Sequence, residues 1–200
     1  LRSIEKMKKL VLTTLIAAGL GVAQTAFADQ TNSGTITITG KVLDTTCKIN
    51  GQDSGDLTVK LPPVSTKALA STGKTAGTTL FTIDLSECSS ASSKLASKAA
   101  VYFSNDADKV TADGKLLNKP GGSPGDAAQN VVVQLLHKDD TVIDITQAYD
   151  QYTQDKDKVA ITGNSPNGKA KLQYKARYYA TDVAGAGEVK STVNYTIAYE

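Results

Sequence analysis

The feature that most constrains this fold is a repeated alternation of apolar and polar residues in short blocks. The blocks are rich in β-branched and aromatic residues, and turn-forming stretches such as Asn50-Gly51, Asp113-Gly114 and NSPNG separate them. They are TITITGKVL, GDLTVKLPPV, TTLFTIDL, AAVYFS, NVVVQLL, TVIDI, AKLQYKARYYAT and TVNYTIAYE. No helical periodicity lasts, although a short helical turn fits STKALAS or SSKLASKA. Because short strands between such turns are typical of an antiparallel sandwich, we expect a single all-β domain.

Residues 1–28 have the pattern of a signal peptide. Two lysines follow Met7, the only methionine, which we expect to be the initiator. The apolar stretch Leu10 to Ala23 comes next and is too short to span a bilayer as a helix. Ala26-Phe27-Ala28 then supplies the small-x-small pattern that signal peptidase recognises. We expect cleavage after Ala28 and a secreted chain; a short N-terminal membrane anchor is the alternative.

The charge of the chain gives no support for a nucleic-acid partner. Removing residues 1–28 takes away four of the 22 basic residues and one of the 20 acidic ones. The remaining 18 basic and 19 acidic residues nearly cancel. Since binding to nucleic acid depends on a basic surface, we expect no nucleic-acid partner.

Two cysteines remain after the signal segment, Cys47 and Cys88. Two cysteines in one secreted domain most often pair with each other. Closing a loop of this length would stabilise the fold by about 4 kcal/mol in the chain-entropy model. A pair of free thiols and a metal site are the alternatives, but two thiols and a single histidine fall short of a closed zinc set. We therefore predict a disulfide and no metal.

Both ends of the secreted chain have the pattern of a strand with one apolar face. At the front, the run GTITITGKVLDTTCKI begins only a few residues after the expected cleavage site. At the back, apolar residues alternate almost to the last position, at Val193, Tyr195, Ile197 and Tyr199. Chain ends fray unless a sheet holds them. Either both strands belong to the same sandwich, or one of them has its partner elsewhere.

Several segments together identify a family. GKVLDTTCKI and DLSEC surround the two cysteines, and ASKAAVYF, VVVQLL and YKARYYAT follow in order. Gly187 lies fourteenth from the end of the sequence and Tyr199 is penultimate. With these features, essentially all of Asp29 to Glu200 resembles the major-type pilins of the chaperone–usher pathway, close to type 1 fimbrial shaft subunits.

The resemblance implies an incomplete immunoglobulin-like sandwich of six strands. In such pilins the missing seventh strand leaves an apolar groove, which the N-terminal extension of the next subunit fills. It further implies that 29–43 is this donor extension, running into the first strand, and that 44–200 is the pilin domain. One face of the extension would enter the neighbour's groove. The residues on that face are Gly34, Ile36, Ile38, Gly40 and Val42.

The resemblance also implies partners for the last strand. A periodic set of residues is expected to border the groove, where a periplasmic chaperone would bind before assembly and an outer-membrane usher would follow. These residues are Gly187, Val193, Tyr195, Ile197 and Tyr199. Glu200 departs from the family, which often ends in a neutral residue beside the carboxylate that the chaperone anchors. The expected location is an extracellular surface fimbria, reached through the periplasm of a Gram-negative bacterium.

Two other classes of function are alternatives. An enzyme with a histidine base would have to use His137, the only histidine, which we expect to lie at a solvated strand end beside Lys138, Asp139 and Asp140. We therefore predict no enzymatic activity and no cofactor. A fimbrial tip subunit or a free secreted immunoglobulin-like binding module is the stronger alternative. For a shaft subunit, weak binding of a host-surface receptor through the fibre is compatible with the sequence.

Overall fold

The structure is a computed structural model and describes residues 35–52, 55–121, 125–152 and 157–200. It divides into two units, Leu1–Gly40 and Lys41–Glu200. In the first unit, residues 35–40 form no regular secondary structure. The signal segment 1–28 and Gly34 lie outside the described residues. The second unit contains all of the strands.

Seven strands of the described residues form two antiparallel sheets. They are β1 (Thr46–Ile49), β2 (Thr75–Ser89), β3 (Lys98–Phe103), β4 (Val131–His137), β5 (Val159–Ala160), β6 (Gly168–Ala180) and β7 (Tyr195–Tyr199). One sheet has the order β1-β2-β6-β4 and the other the order β5-β3-β7. Six strands have four residues or more, and β5 has two. The described helices are short: a 3-10 turn at Thr66–Leu69 and α1 at Tyr149–Tyr152.

Strand β6 shows how alternation in the sequence produces the sandwich. Ala170, Leu172 and Tyr174 are buried, whereas Lys171 points outward. The Tyr174 hydroxyl accepts a hydrogen bond from the Val101 backbone N–H of the opposite sheet at 3.2 Å. Burying the apolar faces of both sheets against each other removes them from water, which is the main stabilising contribution. The expected all-β sandwich is confirmed.

The predicted disulfide is present. Cys47 of β1 and Cys88 of β2 are bonded, with their Cα atoms 4.0 Å apart. Cys88 is fully buried, and Cys47 packs against the same core. The bond therefore ties the edge strand β1 to the centre of its sheet.

Two predicted strands of the domain are wrong, and the TITITGKVL block, residues 35–43, also forms no strand in the single subunit. Residues 55–64, the GDLTVKLPPV block, form no strand, and the TVIDI block contributes only an isolated bridge between Val142 and Leu136. The helical turn predicted in STKALAS is present as Thr66–Leu69. In SSKLASKA, the chain instead enters β3 at Lys98.

The expected solvated position of His137 is also wrong. Every residue of β4 is buried, and His137 is 3% exposed. The segment after β4 folds back, with His137 N–H donating to the Thr141 carbonyl at 2.8 Å, and Asp157 lies beside the ring. Part of this coverage comes from Asp157, which is distant in sequence, and the polar neighbours Lys138 and Asp139 give no sign of it.

Candidate subunit interface: the open edge of β7 and residues 56–64

Strand β7 lies at the edge of its sheet. It pairs with β3 from Ala99↔Tyr199 to Phe103↔Tyr195, and no other described strand pairs with it. Glu200 and Lys98 exchange both backbone hydrogen bonds, so alternate residues of β7 face β3. The backbone groups of Tyr195, Ile197 and Tyr199 consequently face the open edge. Unpaired edge groups of this kind are a template for another strand.

The same three residues carry the side chains that face the core. Tyr195, Ile197 and Tyr199 are partly buried and pack against the main apolar cluster, as do Val189 and Val193 before the strand. Thr196, on the other face, is exposed. The residues expected to border the groove from 193 onward therefore lie on one face of one segment.

Residues 56–64 also lack a strand partner. No backbone–backbone hydrogen bond joins this segment to any other described residue, although its sequence alternates like a strand. Leu61 packs against the core, while Leu57 and Val64 are 39% and 37% exposed. The exposed apolar side chains of this segment are unfavourable in water. Its alternating residues and free backbone groups make it a second candidate edge for an added strand. The sequence alone did not assign this segment to the site.

Two tyrosines link β7 to the beginning of the domain. The Tyr195 hydroxyl donates a hydrogen bond to the Gly55 carbonyl, immediately before segment 56–64. The Tyr199 hydroxyl accepts a hydrogen bond from the Cys47 backbone N–H. Burial raises the pKa of both hydroxyls, and the negative charge of Asp56 raises the pKa of Tyr195 further. Both hydroxyls therefore stay protonated at neutral pH and can serve as donors.

A cavity of about 320 Å³ lies where residues 61–66 and 184–189 come together. Its walls include Leu61, Val64, Tyr178, Gly187 and Val189. These residues are largely apolar, so the cavity suits an apolar side chain more than a charged one. Two of the wall residues, Leu61 and Val189, also pack against the main apolar cluster.

Gly187 lies in the wall of this cavity, at a point where the backbone of Ala127 and Ala128 comes very close to it. A Cβ at this position would lie 2.4 Å from the Ala128 nitrogen and 2.5 Å from the Ala127 carbonyl carbon. The next residue, Glu188, forms a parallel bridge with Ala127 and accepts a hydrogen bond from Ala128 N–H at 2.9 Å. Only glycine fits this approach.

The residues expected to act as the donor are exposed. Ile36 and Ile38 are 87% and 90% exposed, and Val42 is 98% exposed. Gly40 shares their alternation. An alternating row of apolar side chains in water is unfavourable for an isolated subunit.

No other constellation of the described residues suggests a chemical site. The His137 Nδ1 lies 3.0 Å from the Asp157 Oδ1, with both side chains largely buried and the Tyr174 ring nearby. No group of three His, Cys, Asp or Glu side chains in the described part of the chain is placed to hold a metal ion. None of the described helices is long and apolar enough to cross a bilayer.

Comparison with known proteins gives one family. Residues 61–200 match the family model described as FimA, Type-1 fimbrial protein, A. The chain is 42% identical over 183 residues to the F17 fimbrial protein of Escherichia coli, covering 91% of this chain and 96% of the relative. It is 38% identical over 178 residues to the major fimbrial subunit SMF-1 of Stenotrophomonas maltophilia strain K279a, covering 89% and 99% respectively. These relatives are structural subunits of fimbriae.

A solved structure supports the fold. The P pilus rod subunit PapA superposes with a TM-score of 0.50 over 77% of this chain and 99% of that one, at 15% sequence identity. At this identity, the likeness concerns the fold alone. The sandwich therefore has the immunoglobulin-like architecture of pilins. The family match over residues 61–200 is a separate line of evidence, because it comes from the sequence. The chain is a structural fimbrial subunit and belongs to the type-1 fimbrial protein family.

Proposed function

We propose that this subunit polymerises by strand donation, giving residues 34–42 to one copy and accepting the same segment from another. The observation that carries the proposal is the pair of unsatisfied segments, the open edge of β7 and residues 56–64. An inserted strand would bond to the free backbone groups of Tyr195, Ile197 and Tyr199. Main-chain hydrogen bonds would give affinity, and alternate side chains would give specificity.

The apolar side chains of the extension supply the second part of the argument. Ile36, Ile38 and Val42 alternate with polar residues in the sequence and are exposed, so an extended conformation would place them on one face. Transfer of two isoleucines and a valine out of water would contribute about 5–8 kcal/mol. Val193, Ile197 and the cavity beside Gly187 offer apolar surroundings for them. The glycines at 34 and 40 suit positions where the backbone approaches closely.

Strand donation of this kind builds a filament. The donating and accepting surfaces of one subunit are different, so the contact is heterologous and does not close on itself. Each subunit both gives and receives a strand. This fits a repeating subunit better than a tip subunit or a free binding module.

The proposal includes partners and a route to the cell surface. The segment 1–28 would direct the chain to the periplasm, with 29–43 as the extension and 44–200 as the domain. An exposed apolar edge invites aggregation, so a periplasmic chaperone is expected to cover β7 until assembly at an outer-membrane usher. The product is an extracellular fimbria of a Gram-negative cell, able to carry contacts with a host receptor. No cofactor and no enzymatic activity are part of this function.

Thermal unfolding tests the proposal. The domain lacking residues 29–39 is heated alone and with a synthetic peptide of residues 29–43. A peptide at about 100 times its Kd stabilises by about 2.7 kcal/mol. We expect Tm to rise by about 5–10 °C, using about 2–4 °C per kcal/mol.

Two altered peptides separate specific insertion from general binding. Ile36→Asp with Ile38→Asp places charges on the apolar face and should abolish the rise. Thr35→Asp with Thr37→Asp adds the same charge to the opposite face and should largely preserve it. A truncated domain that is already stable and ignores the wild-type peptide would instead indicate a complete sandwich and a free binding module.

A further inference from the structure

Asp44 joins the beginning of the domain to the loop after β2. Its Oδ1 accepts a hydrogen bond from the Ser90 hydroxyl at 2.7 Å, and its Oδ2 accepts one from the Ser92 backbone N–H at 3.0 Å. The hydroxyls of Ser90 and Ser92 are themselves 2.8 Å apart. Both carboxylate oxygens are thus engaged by one loop. Hydrogen bonds to an ionised acceptor are stronger than those between neutral groups.

Thr45 adds a second contact immediately after the first. Its side chain is buried, and its hydroxyl oxygen accepts a hydrogen bond from the Ala96 backbone N–H at 2.9 Å. Ser90 N–H donates to the Ser165 hydroxyl at 3.2 Å, which connects the same loop to the segment before β6. The loop after β2 therefore joins three chain segments, because it bonds to Asp44 and Thr45 on one side and to Ser165 on the other. The disulfide between Cys47 and Cys88 lies a few residues away in sequence on both sides.

The residues just before this network are not held in the same way. Lys41 and Val42 are exposed, and residues 41–45 form no strand. The hydrogen-bonded network therefore begins abruptly at Asp44. Under the proposed function, Val42 is the last residue inserted into the neighbouring subunit. Leu43 alone then separates the inserted strand from the network.

We propose that Asp44 and Thr45 form a clamp that fixes where the donated segment leaves its own subunit, so that the hinge between neighbouring subunits is restricted to about one residue. The clamp positions the donor without touching the acceptor groove. Strand donation alone would leave neighbouring subunits free to change their relative orientation. The clamp gives the connection between them a defined geometry. This inference rests on the proposed donation of residues 34–42.

Substitutions in the clamp should have a different effect from substitutions in the donor segment or the groove. Loss of the clamp should leave the donor segment and the groove unchanged, so donation still occurs with the same affinity. What changes is the freedom of one subunit relative to the next. Short, directly bonded linkers restrict the space that joined domains explore, and each released residue widens it.

The test uses a dimer of two full-length mature subunits. The acceptor carries Ile36→Asp and Ile38→Asp, which prevent it from donating. The groove of the donor is first filled with the 29–43 peptide, so the donor cannot accept. Spin labels at Asn105 of the acceptor and Lys138 of the donor, both exposed, report the distance distribution between the domains.

Donors with Asp44→Ala or Thr45→Val should give distributions at least twofold wider than wild type. The matched control is Asp108→Ala, which removes an exposed carboxylate that joins no two segments. Its distribution should equal that of wild type. Dimer yield and the Kd of donation should be the same for all donors. A merely structural role would lower Tm without widening the distribution.

Equal widths for wild type, Asp44→Ala and Thr45→Val would overturn the clamp. If Asp44→Ala does not fold, Ser90→Ala decides the matter, because it removes one bond to Asp44 and leaves the Ser92 N–H in place. Failure of the wild-type dimer to form would count against strand donation itself and not against the clamp. The two failures are therefore distinguishable.

Discussion

At the scale of single residues, Gly187 shows how a backbone approach determines a residue type. The Gly187→Ala substitution would place a methyl group 2.4 Å from the Ala128 backbone nitrogen, which cannot rotate away. We expect a loss of about 1–3 kcal/mol in the free energy of unfolding, measured by urea denaturation of the free subunit. Gly40→Ala is the control, since a Cβ there meets no atom within 4 Å. Equal stability of the two variants would contradict the steric requirement for glycine at position 187.

Asp44 gives a prediction of pH dependence. The hydrogen bond from the Ser90 hydroxyl, followed by that from the Ser92 backbone, lowers the pKa of Asp44 below its usual 3.8. A carboxyl whose pKa is depressed by folding stabilises the folded state above its unfolded pKa. That contribution is lost as the pH falls through the depressed value.

The stability difference between wild type and Asp44→Asn should therefore be constant from pH 7 to about pH 5 and shrink only in acid below 3.8. Urea unfolding at several pH values measures it. A difference that already disappears near pH 6 would show that the carboxylate does not accept these bonds in solution.

At the scale of elements, Tyr195 tests the link between β7 and the beginning of the domain. Tyr195→Phe removes only the hydroxyl that donates to the Gly55 carbonyl, so we expect a loss of about 0.5–1.5 kcal/mol in the free energy of unfolding. Tyr102→Phe is the matched control, because Tyr102 lies on β3, is 40% exposed as a residue, and its ring meets Tyr149 edge-on. Thermal unfolding of both variants compares them. If the Tyr195→Phe subunit were as stable as the control, the hydrogen bond from Tyr195 to Gly55 would not stabilise the fold.

The elements also show what alternation in a sequence can and cannot predict. The long strands β2 and β6 were predictable because each has a buried partner face, and period-two alternation follows from that. Residues 55–64 have the same alternation without a strand, since a ladder requires a second strand and none of the described strands lies beside them. The helix α1 was not predicted, because four residues are too few to show a 3.6-residue period.

The candidate site was predictable in part. The alternating face of residues 193–199 and the exposed row at Ile36, Ile38 and Val42 are visible in the sequence. Leu61, Val64 and Val189 were missed, although the apolar alternation of GDLTVKLPPV was a signal for the first two. The burial of His137 and the contacts of Asp44 come from residues distant in sequence, and no local pattern encodes such contacts.

At the scale of the whole molecule, the second unit, Lys41–Glu200, combines a well-packed core with one unsatisfied edge. The buried residues around Leu172 and Tyr174 form one cluster, which includes Cys88 of the disulfide. Beside that core, β7 and segment 56–64 retain unpaired backbone groups. Under the proposed strand donation, such a subunit would gain stability from the inserted strand, and this gain would drive assembly without a nucleotide.

The most direct test of this account is amide hydrogen exchange in β7. The full-length mature subunit carrying Ile36→Asp and Ile38→Asp is measured alone and with the wild-type 29–43 peptide. The account predicts fast exchange at Tyr195, Ile197 and Tyr199 in the free subunit and at least tenfold slower exchange with the peptide. The amides of Thr196 and Ala198, which face β3, should be slow in both. Protection of Tyr195, Ile197 and Tyr199 without peptide, or no response to it, would contradict strand donation into this edge.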